Sequence, residues 1–496
     1  MSVPAAVLPL KTDPPKACYS RLCPAHSGDW APHADHVLET LATLMLDRPE
    51  DRTQREAGPQ FDHVMRSGYV YLGQFIAHDV SRDLQSLAEA SPRTENTPNY
   101  RTPRLDLELL YGASPHEAPS IYERNGRLKI GMTEPAAGLP ATPADLPRDA
   151  QGNALLIDSR SDDNLLIAQV HVLLAKFHNR VCDLLAQQPD LSVGPAGATL
   201  YEQARRFVIW HYQWIILHDF LPQIVQAATM RDIEQHGLAL YHRCATPADA
   251  PIALPVEFTL AAFRFGHSMV RTDYFLNPTV RVVDAADLVR MTKRGGGVTR
   301  SLPANYVISW SRFFNGTNAM VNRGENIDAL ISSALYDLPQ LPPQPPVRMP
   351  FSLPEMTLKR GAKVCLPSGQ EFARRFGFPE LPPDAIAARP EHQDFFRQSS
   401  LSQRTPLWYY LLREAAVEAV YEPEPGGTGT RTVQKLGTIG GRIVSETIHQ
   451  LLNADYNSIR HAGKDWTPPE FTFDGAPGPQ RLDSMAELTR FANPDS

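Results

Sequence analysis

The chain has 496 residues, and its 48 lysines and arginines against 55 aspartates and glutamates give a formal net charge of −7. Proteins that bind nucleic acid usually carry a basic excess or a basic stripe, so this balance argues against a nucleic-acid partner. A hydrophobic content of 42% and a charged content of 21% are typical of a folded globular chain. The 45 prolines are nearly twice the average proportion of about 5%, which predicts short helices and long loops. Five cysteines are too few for a disulfide scaffold.

The N-terminal sequence lacks the basic segment of a secretory signal, and prolines interrupt its short apolar run. The longest apolar candidate, residues 207–225, contains His211, Asp219 and other polar residues, so it is too polar to span a membrane. We therefore expect a cytoplasmic protein without a membrane segment.

Hydrophobic periodicity predicts an amphipathic helix at residues 36–46, after a proline-rich arm. Further helices are predicted at residues 66–80, 161–188, 200–227, 257–270, 305–315, 326–337, 368–376, 406–419 and 438–453. Strand patterns are few and short, for instance residues 128–130 and 281–283. The predicted class is mainly α, with long functional loops and few short strands.

The domain organisation follows from the same pattern. Residues 1–60 are predicted to form an N-terminal arm and helix, residues 61–470 one large helical domain, and residues 471–496 a C-terminal tail. No repeat with a period of 20–50 residues is visible, so a solenoid is not expected.

The first candidate segment is residues 71–80, which read YLGQFIAHDV. In a helix, Gln74 and His78 are four residues apart and share one face, whereas Asp79 points elsewhere. Two polar residues on one face, beside Phe75 and Ile76, suggest a lined cavity. The alternative is a histidine that makes a local hydrogen bond in the core.

The second segment is the loop that contains Thr102, Asp106 and Glu108. Oxygen side chains alternate along it, and carboxylates, hydroxyls and carbonyls are the ligands that calcium prefers. A half-buried strand with polar residues on one face explains the alternation equally simply.

The third segment, residues 155–164, resembles the start of a helix, with Ser161 as the cap and Asp162 and Asp163 in the first turn. Capping does not explain Arg160, because a cation at the positive end of a helix is unfavourable. Arg160 is therefore expected to serve something anionic.

The fourth segment, residues 261–270, contains His267 directly after Gly266, with Phe263 and Phe265 on either side of Arg264. The glycine would let a bulky group approach the helix closely. By itself the segment is ambiguous between a core helix and an imidazole that binds a metal.

These four segments, in this order, resemble the animal-type haem peroxidases of the peroxidase–cyclooxygenase superfamily, and the bacterial branch looks closest. The similarity extends over roughly residues 60 to 465. Further matching stretches are LLAKFHNRV at 173–181, FVIWHYQWIILHDFLP at 207–222, WSRFF at 310–314, LPSGQ at 366–370 and GGRIVSETIHQLL at 440–452.

The resemblance implies roles for individual residues. Gln74 and His78 match the distal residues of the family, and Arg160 matches the distal arginine. His267 matches the proximal ligand of the haem iron, and Arg264 matches an arginine near a haem propionate. The calcium ligands of the family match Asp79, Thr102, Arg104 through its carbonyl, Asp106 and Glu108.

The chain also departs from the family pattern at positions that concern the haem. Ala77 replaces an aspartate, so that haem ester cannot form, and Asp163 replaces a glutamate, which leaves one shorter ester link open. Asn164 replaces the sulfonium-forming methionine of one branch. Thr357 stands where most members have an asparagine that accepts the N–H of the proximal histidine, and a hydroxyl there would orient His267 less firmly.

The resemblance implies a haem-dependent peroxidase that uses hydrogen peroxide to oxidise a small organic donor through a ferryl intermediate, with a biosynthetic tailoring oxidation as one option. Haem b and calcium are the implied cofactors. Two alternatives stay open: a haem-binding protein with little turnover, such as a sensor or degenerate paralogue, and a helical scaffold without haem. A tyrosyl-radical oxygenase is disfavoured, because Arg264 stands at the position of the radical tyrosine. The sequence predicts neither the donor nor the oligomeric state.

Overall fold

A computed structural model of the chain shows a mainly helical protein. It describes residues 16–25, 33–48, 65–85, 87–93, 96–193, 195, 197–243, 252–280, 282–292, 300–314, 321–338, 352–423, 430–462, 466–473 and 478–493. Most of the predicted arm, namely residues 1–15, 26–32 and 49–60, lies outside the described residues, as does the predicted start of the large domain at residue 61.

The α-helices of the described part are numbered in chain order. They are α1 (Asp35–Leu44), α2 (Gly68–Val80), α3 (Glu108–Tyr111), α4 (Leu165–Gln187), α5 (Leu200–Ile215), α6 (Leu221–Ile224), α7 (Ala227–His236), α8 (Ala239–Arg243), α9 (Val256–Leu260), α10 (Ala285–Arg290), α11 (Leu353–Lys363), α12 (Gly369–Phe376), α13 (Gln393–Gln398), α14 (Leu407–Val417), α15 (Thr438–Ala454) and α16 (Met485–Ala492). A π-helical turn, Ile216–Phe220, joins α5 to α6.

The longest helix, α4, lies at the centre of the fold and packs against α2, α5 and α16. Asn164 begins it, because its side chain accepts a hydrogen bond from the backbone N–H of Ile167. A capping box starts α5, since Thr199 and Glu202 accept hydrogen bonds from each other's backbone N–H groups. These caps fix the register of the two helices that enclose the core.

The strands are short and form antiparallel pairs. They are β1 (Ala17–Cys18) with β2 (Pro98–Asn99), β3 (Gly131–Met132) with β4 (Pro143–Asp145), β5 (Asp273–Tyr274) with β6 (Val283–Asp284), β7 (Val420–Pro423) with β8 (Thr430–Val433), and β9 (Glu470–Phe471) with β10 (Gln480–Arg481). The first pair ties the N-terminal arm to the segment that precedes the predicted calcium loop.

Several local predictions were wrong. Ser161 does not cap α4; Asn164 does, three residues later, and Asp158 caps a short 3-10 segment, Ser159–Asp162. The predicted helices at 305–315 and 326–337 are only short 3-10 turns, because extended residues such as Ser309 and Ser332 interrupt them. Helix α11 was not predicted, although Ser352 accepts from the N–H of Glu355 in a clear capping pattern.

The C-terminal region, residues 471–496, includes a helix that joins the core. Helix α16 packs against α4, and the ring centroids of Phe491 and Phe177 lie 5.8 Å apart in an edge-to-face arrangement. Aromatic pairs of this geometry contribute about 0.5–1.5 kcal/mol beyond the burial of their area. No helix among the described residues is long and apolar enough to cross a membrane.

Gly369 provides a test of core packing, because it lies directly against the ring of Tyr410 at the start of α12. A Cβ atom there would overlap that ring, so Gly369→Ala is expected to lower the free energy of unfolding by about 1–3 kcal/mol. Gly478 is the matched control, since a Cβ there meets no atom within 4 Å. Chemical denaturation of the two variants measures the difference, and an equal stability of both would contradict the packing argument.

Candidate active site

A cavity of about 460 Å³ lies between helix α2 and the 3-10 segment Ala262–Met269. Such a volume is within the range of cofactor and ligand pockets, about 300–1,000 Å³. The polar and glycine residues that line it are Gly73, Gln74, His78, Ser81, Arg160, Asp163, Asn164, Thr259, Arg264, Gly266 and His267. Two of the four predicted segments, residues 71–80 and residues 261–270, therefore line this space from different elements. A third, residues 155–164, contributes Arg160 and Asp163.

His78 and Gln74 both line the cavity from one face of α2, as the helical spacing predicted. Burial, and next the positive charge of Arg160, hold the pKa of His78 well below its usual range, so the ring is neutral near pH 7. Its Nδ1 atom is buried and has no hydrogen-bond partner among the described residues. An uncharged imidazole in this position can accept a proton from a bound molecule.

Asn164 holds Gln74 in place, which sequence reasoning missed. The Nδ2 of Asn164 donates to Oε1 of Gln74 at 3.3 Å, while its Oδ1 caps α4. One side chain therefore joins the start of α4 to the cavity face of α2. Since the contact links positions 90 residues apart, no local pattern could have indicated it.

Arg160 lies just before the N-terminus of α4, which is the positive end of that helix. A buried carboxylate pairs with it there and offsets the unfavourable position. Its Nη2 donates to Oδ2 of Asp158 at 2.7 Å and to the carbonyl oxygens of His78 at 3.0 Å and Ser81 at 2.9 Å. Burial alone would lower the pKa of this guanidinium, but Asp158 raises it above its usual value. Arg160 is thus a fixed cation at the wall of the cavity.

On the other side of the cavity, His267 lies in the Ala262–Met269 segment, with Trp408 edge-on at 5.8 Å between ring centroids. Burial, and next the charge of Arg264, lower the pKa of His267 to about 3, so this imidazole is also neutral. A Cβ at Gly266 would meet no atom within 4 Å, so the glycine leaves open space beside the histidine. A neutral buried imidazole beside an open cavity is the chemistry of a metal ligand.

Thr357 does not take the predicted place beside His267. Its hydroxyl accepts a hydrogen bond from Nη1 of Arg264 at 3.2 Å, and the Nδ1 of His267 is buried without a partner among the described residues. Among the described residues Thr357 therefore supports Arg264, and it makes no hydrogen bond to the imidazole of His267.

A second space of about 220 Å³ shares Arg160, Arg264, Ser81 and Thr259 with the main cavity. Arg360 and Tyr19 also line it, and sequence reasoning assigned neither of them. Arg360 pairs with Asp83, and Tyr19 comes from the N-terminal arm next to β1. This end of the site is therefore cationic and polar, whereas the main cavity has apolar walls.

The predicted calcium loop is a compact cluster of oxygen atoms. Thr102 donates through its hydroxyl to Asp106 at 3.1 Å and to Glu108 at 2.9 Å, and Oδ2 of Asp79 accepts from the N–H of Leu107. Burial raises the pKa of Asp79 and of Asp106, and the next cause is a neighbouring carboxylate, Asp106 for Asp79 and Glu108 for Asp106. The Oδ1 atom of Asp79 is buried without a hydrogen-bond partner in the described residues.

The same loop is not a preformed carboxylate cage. No group of three or more His, Cys, Asp and Glu side chains among the described residues has an arrangement that could hold a metal ion. The N–H of Arg104 donates to the carbonyl of Thr102 at 2.7 Å. Buried like charges and one orphaned carboxylate oxygen fit a cation, and a cation there would need the mixed hydroxyl and carbonyl donors of the loop.

The residues of the main cavity fit a haem. Two neutral histidines with orphaned buried nitrogens face the cavity from opposite elements, and Gly266 leaves room for a flat group. Apolar side chains cover the remaining walls, including Val70, Leu335 and Leu353. At the cationic end, Arg264 could pair with the carboxylates of a porphyrin.

The chain is similar to known proteins in sequence and in fold. The family model described as animal haem peroxidase matches residues 59–344, which is more than half of the chain. A human peroxidasin homolog is 30% identical over 186 residues, which cover 35% of this chain and 12% of that protein. The chain spans between 12 and 37% of the length of the first curated relatives that it matches.

Two solved structures share the fold. Peroxidase A from Dictyostelium discoideum aligns with a TM-score of 0.58 and 15% identity, covering 91% of this chain and 90% of that one. A fatty acid alpha-dioxygenase from Arabidopsis thaliana aligns with a TM-score of 0.55 and 13% identity, covering 96% and 75%. These likenesses confirm the predicted class, a single large helical domain with long loops and few short strands.

Proposed function

Because the chain belongs to the animal haem peroxidase family, we propose that it is a haem-dependent peroxidase that uses hydrogen peroxide to oxidise a small organic donor. The single observation that carries the proposal is the cavity that brings Gln74, His78 and Arg160 together opposite His267. Membership of the bacterial branch, and a cytoplasmic location, remain parts of the proposal.

His267 would bind the haem iron through its imidazole, and Arg264, supported by Thr357, would pair with a haem propionate. Asp163 lines the cavity and offers the carboxylate for an ester link to haem b. When bound, haem would supply the redox chemistry that reduces peroxide and oxidises the donor.

His78 would take a proton from one oxygen of hydrogen peroxide and deliver it to the other oxygen, which leaves as water. Arg160 would stabilise the negative charge that develops on the leaving oxygen. Gln74, held by Asn164, would keep a water molecule or an anion beside His78. The apolar walls of the cavity would exclude bulk water and strengthen these interactions.

The test is a ferric absorption spectrum of the purified haem-loaded protein, followed by addition of hydrogen peroxide and a donor such as a phenol, an indole or a halide. We expect a Soret band, rapid spectral change with peroxide, and oxidation of at least one donor. A protein that binds haem but shows no spectral change with peroxide would remove the proposal.

The second candidate is a haem-binding protein with little turnover. The observation that favours it is that Nδ1 of His267 has no acceptor among the residues that the structure describes, because such an acceptor normally tunes the electron density on the metal. In that case the Soret band would be present, but donor oxidation would be negligible in the same assay.

Calcium binding to the loop of Asp79, Thr102, Arg104, Asp106 and Glu108 is part of the proposal. Since a cation would bind the folded chain and not the unfolded one, calcium at about a hundred times its Kd should stabilise chelator-treated protein by about 2.7 kcal/mol. We expect the melting temperature to rise on adding calcium, and Asp106→Ala to abolish the rise. The exposed Asp190 provides the control variant, and a wild-type melting temperature that ignores calcium would contradict the prediction.

A further inference from the structure

Asp158 is the centre of a buried ion cluster next to the cavity, formed by Asp158, Arg82, Arg101 and Arg160 and called the Asp158 cluster below. Its carboxylate oxygens lie 3.0 Å from Nη1 of Arg82, 2.8 Å from Nη2 of Arg101 and 2.7 Å from Nη2 of Arg160. Asp158 itself is completely buried. Asp158 lies in the predicted segment of residues 155–164, but neither the capping pattern nor the resemblance gave it a role.

The cluster holds three guanidinium groups around one carboxylate. Burial alone would raise the pKa of Asp158, but Arg160 and then Arg101 hold it well below its usual range. The carboxylate is therefore charged near neutral pH, and removing its charge would leave three buried cations facing one another.

The contacts of Arg160 show what the carboxylate does for it. Its Nε and Nη2 atoms both donate to Asp158, and Nη2 also donates to two backbone carbonyls at the end of α2. Its Nη1 atom has no hydrogen-bond partner among the described residues, and Arg160 lines the cavity. One edge of the guanidinium is thus fixed, and the other remains available to a molecule in the cavity.

We infer that Asp158 is a positioning residue for Arg160, which fixes one edge of the guanidinium so that the free Nη1 faces an anion or a peroxide oxygen in the cavity. The inference rests on the proposed function for the identity of the reacting molecule, but not for the geometry. A group that stabilises charge must be held within a fraction of an ångström, and a misplacement of about 1 Å can cost roughly a hundredfold in rate.

The cluster also reaches the predicted calcium loop. Arg101 lies 3.6 Å from Glu108, and its backbone N–H donates to Asn99, which is paired with the N-terminal arm through β1 and β2. Asp158 is therefore linked to the loop through Arg101 and Glu108, to the arm through Arg101 and Asn99, and to Arg160 directly.

The test uses Asp158→Asn in the haem-loaded full-length protein. Asparagine can still cap the Ser159–Asp162 segment, since it accepts the N–H of Arg160, but it lacks the charge that holds the guanidinium. We expect kcat/KM for hydrogen peroxide to fall by about tenfold to a hundredfold, with the KM for the donor unchanged. Sodium fluoride, titrated in the Soret band, should bind about tenfold more weakly.

Asp145→Asn is the matched control. Asp145 is also buried and pairs with an arginine, Arg148, at 2.9 Å, but neither of these residues hydrogen-bonds to Arg160 in the described part of the chain. If Asp145→Asn lowers peroxide reactivity and fluoride affinity as much as Asp158→Asn does, the effect is general destabilisation and the inference fails.

A crystal structure of Asp158→Asn gives a readout that needs no activity. In that structure the guanidinium of Arg160 should no longer donate hydrogen bonds to the carbonyl oxygens of His78 and Ser81. If Arg160 keeps its position and the fluoride affinity is unchanged, the inference is overturned. If Asp158→Asn does not fold, Asp158→Glu keeps the charge on a longer side chain and should weaken fluoride binding severalfold, and an unchanged affinity there counts equally against the inference. A wild-type protein that binds fluoride but ignores peroxide would remove the proposed function and leave the positioning role to be decided by these two measurements.

Discussion

Replacing His267 by alanine is expected to abolish the Soret band of the purified protein and to lower peroxide turnover by more than about a hundredfold. We expect an effect of this magnitude because removing even a residue that hydrogen-bonds to a metal ligand typically lowers metal affinity or activity 10- to 100-fold. His267 is the neutral imidazole on its side of the cavity, and the space beside Gly266 is open to a flat cofactor.

The matched control is His211→Ala. His211 is fully buried in the core, whereas His267 is half-buried at the cavity wall; His211 stacks on Phe207 at 4.1 Å between ring centroids and does not line the cavity. Its removal leaves a new void in the core, so His211→Ala should lose at least as much thermal stability as His267→Ala, whose side chain borders a space that is already open. A His267→Ala protein with a full Soret band, or an equal loss of the band in His211→Ala, would show that His267 is not the ligand.

Sequence reasoning found the parts of the site that depend on local geometry. Gln74 and His78 share a cavity because residues four apart share one face of any helix, and Asp79 turns away for the same reason. The mainly helical fold was equally readable, because the core helices carry strong periodic patterns. Short turns such as Trp310–Arg312 were mistaken for helices, because apolar aromatic runs do not reveal where the backbone becomes extended.

The missed residues act over long separations in the chain. Asn164 holds Gln74 across 90 positions, and Arg101 meets Asp158 across 57. One signal was nevertheless present. Arg160 is a cation at the positive end of a helix, which is unfavourable without an anionic partner, and Asp158 lies two residues earlier. The resemblance assigned Thr357 to His267, but a resemblance along the chain does not determine which neighbour a side chain contacts, and Thr357 accepts a hydrogen bond from Arg264.

His78→Ala is expected to leave the Soret band intact and to lower the rate of reaction with hydrogen peroxide by about 10²- to 10⁴-fold, the usual contribution of a positioned proton acceptor. The donor KM should not change, because His78 acts on peroxide. Arg160 would still be held by Asp158, so the remaining rate would measure what charge stabilisation achieves without proton transfer.

His171→Ala is the control for this variant. His171 is another buried histidine, with a pKa lowered to about 4 by burial, and it lies on α4 beside Phe75 without lining the cavity. The His171→Ala variant should react with peroxide at the wild-type rate.

Added imidazole should restore part of the rate of His78→Ala, since that variant leaves space for imidazole in a cavity that is already open. If His78→Ala reacts with peroxide as fast as wild type, the proton must move through another group, such as the carboxylate of Asp163, which also lines the cavity, or solvent.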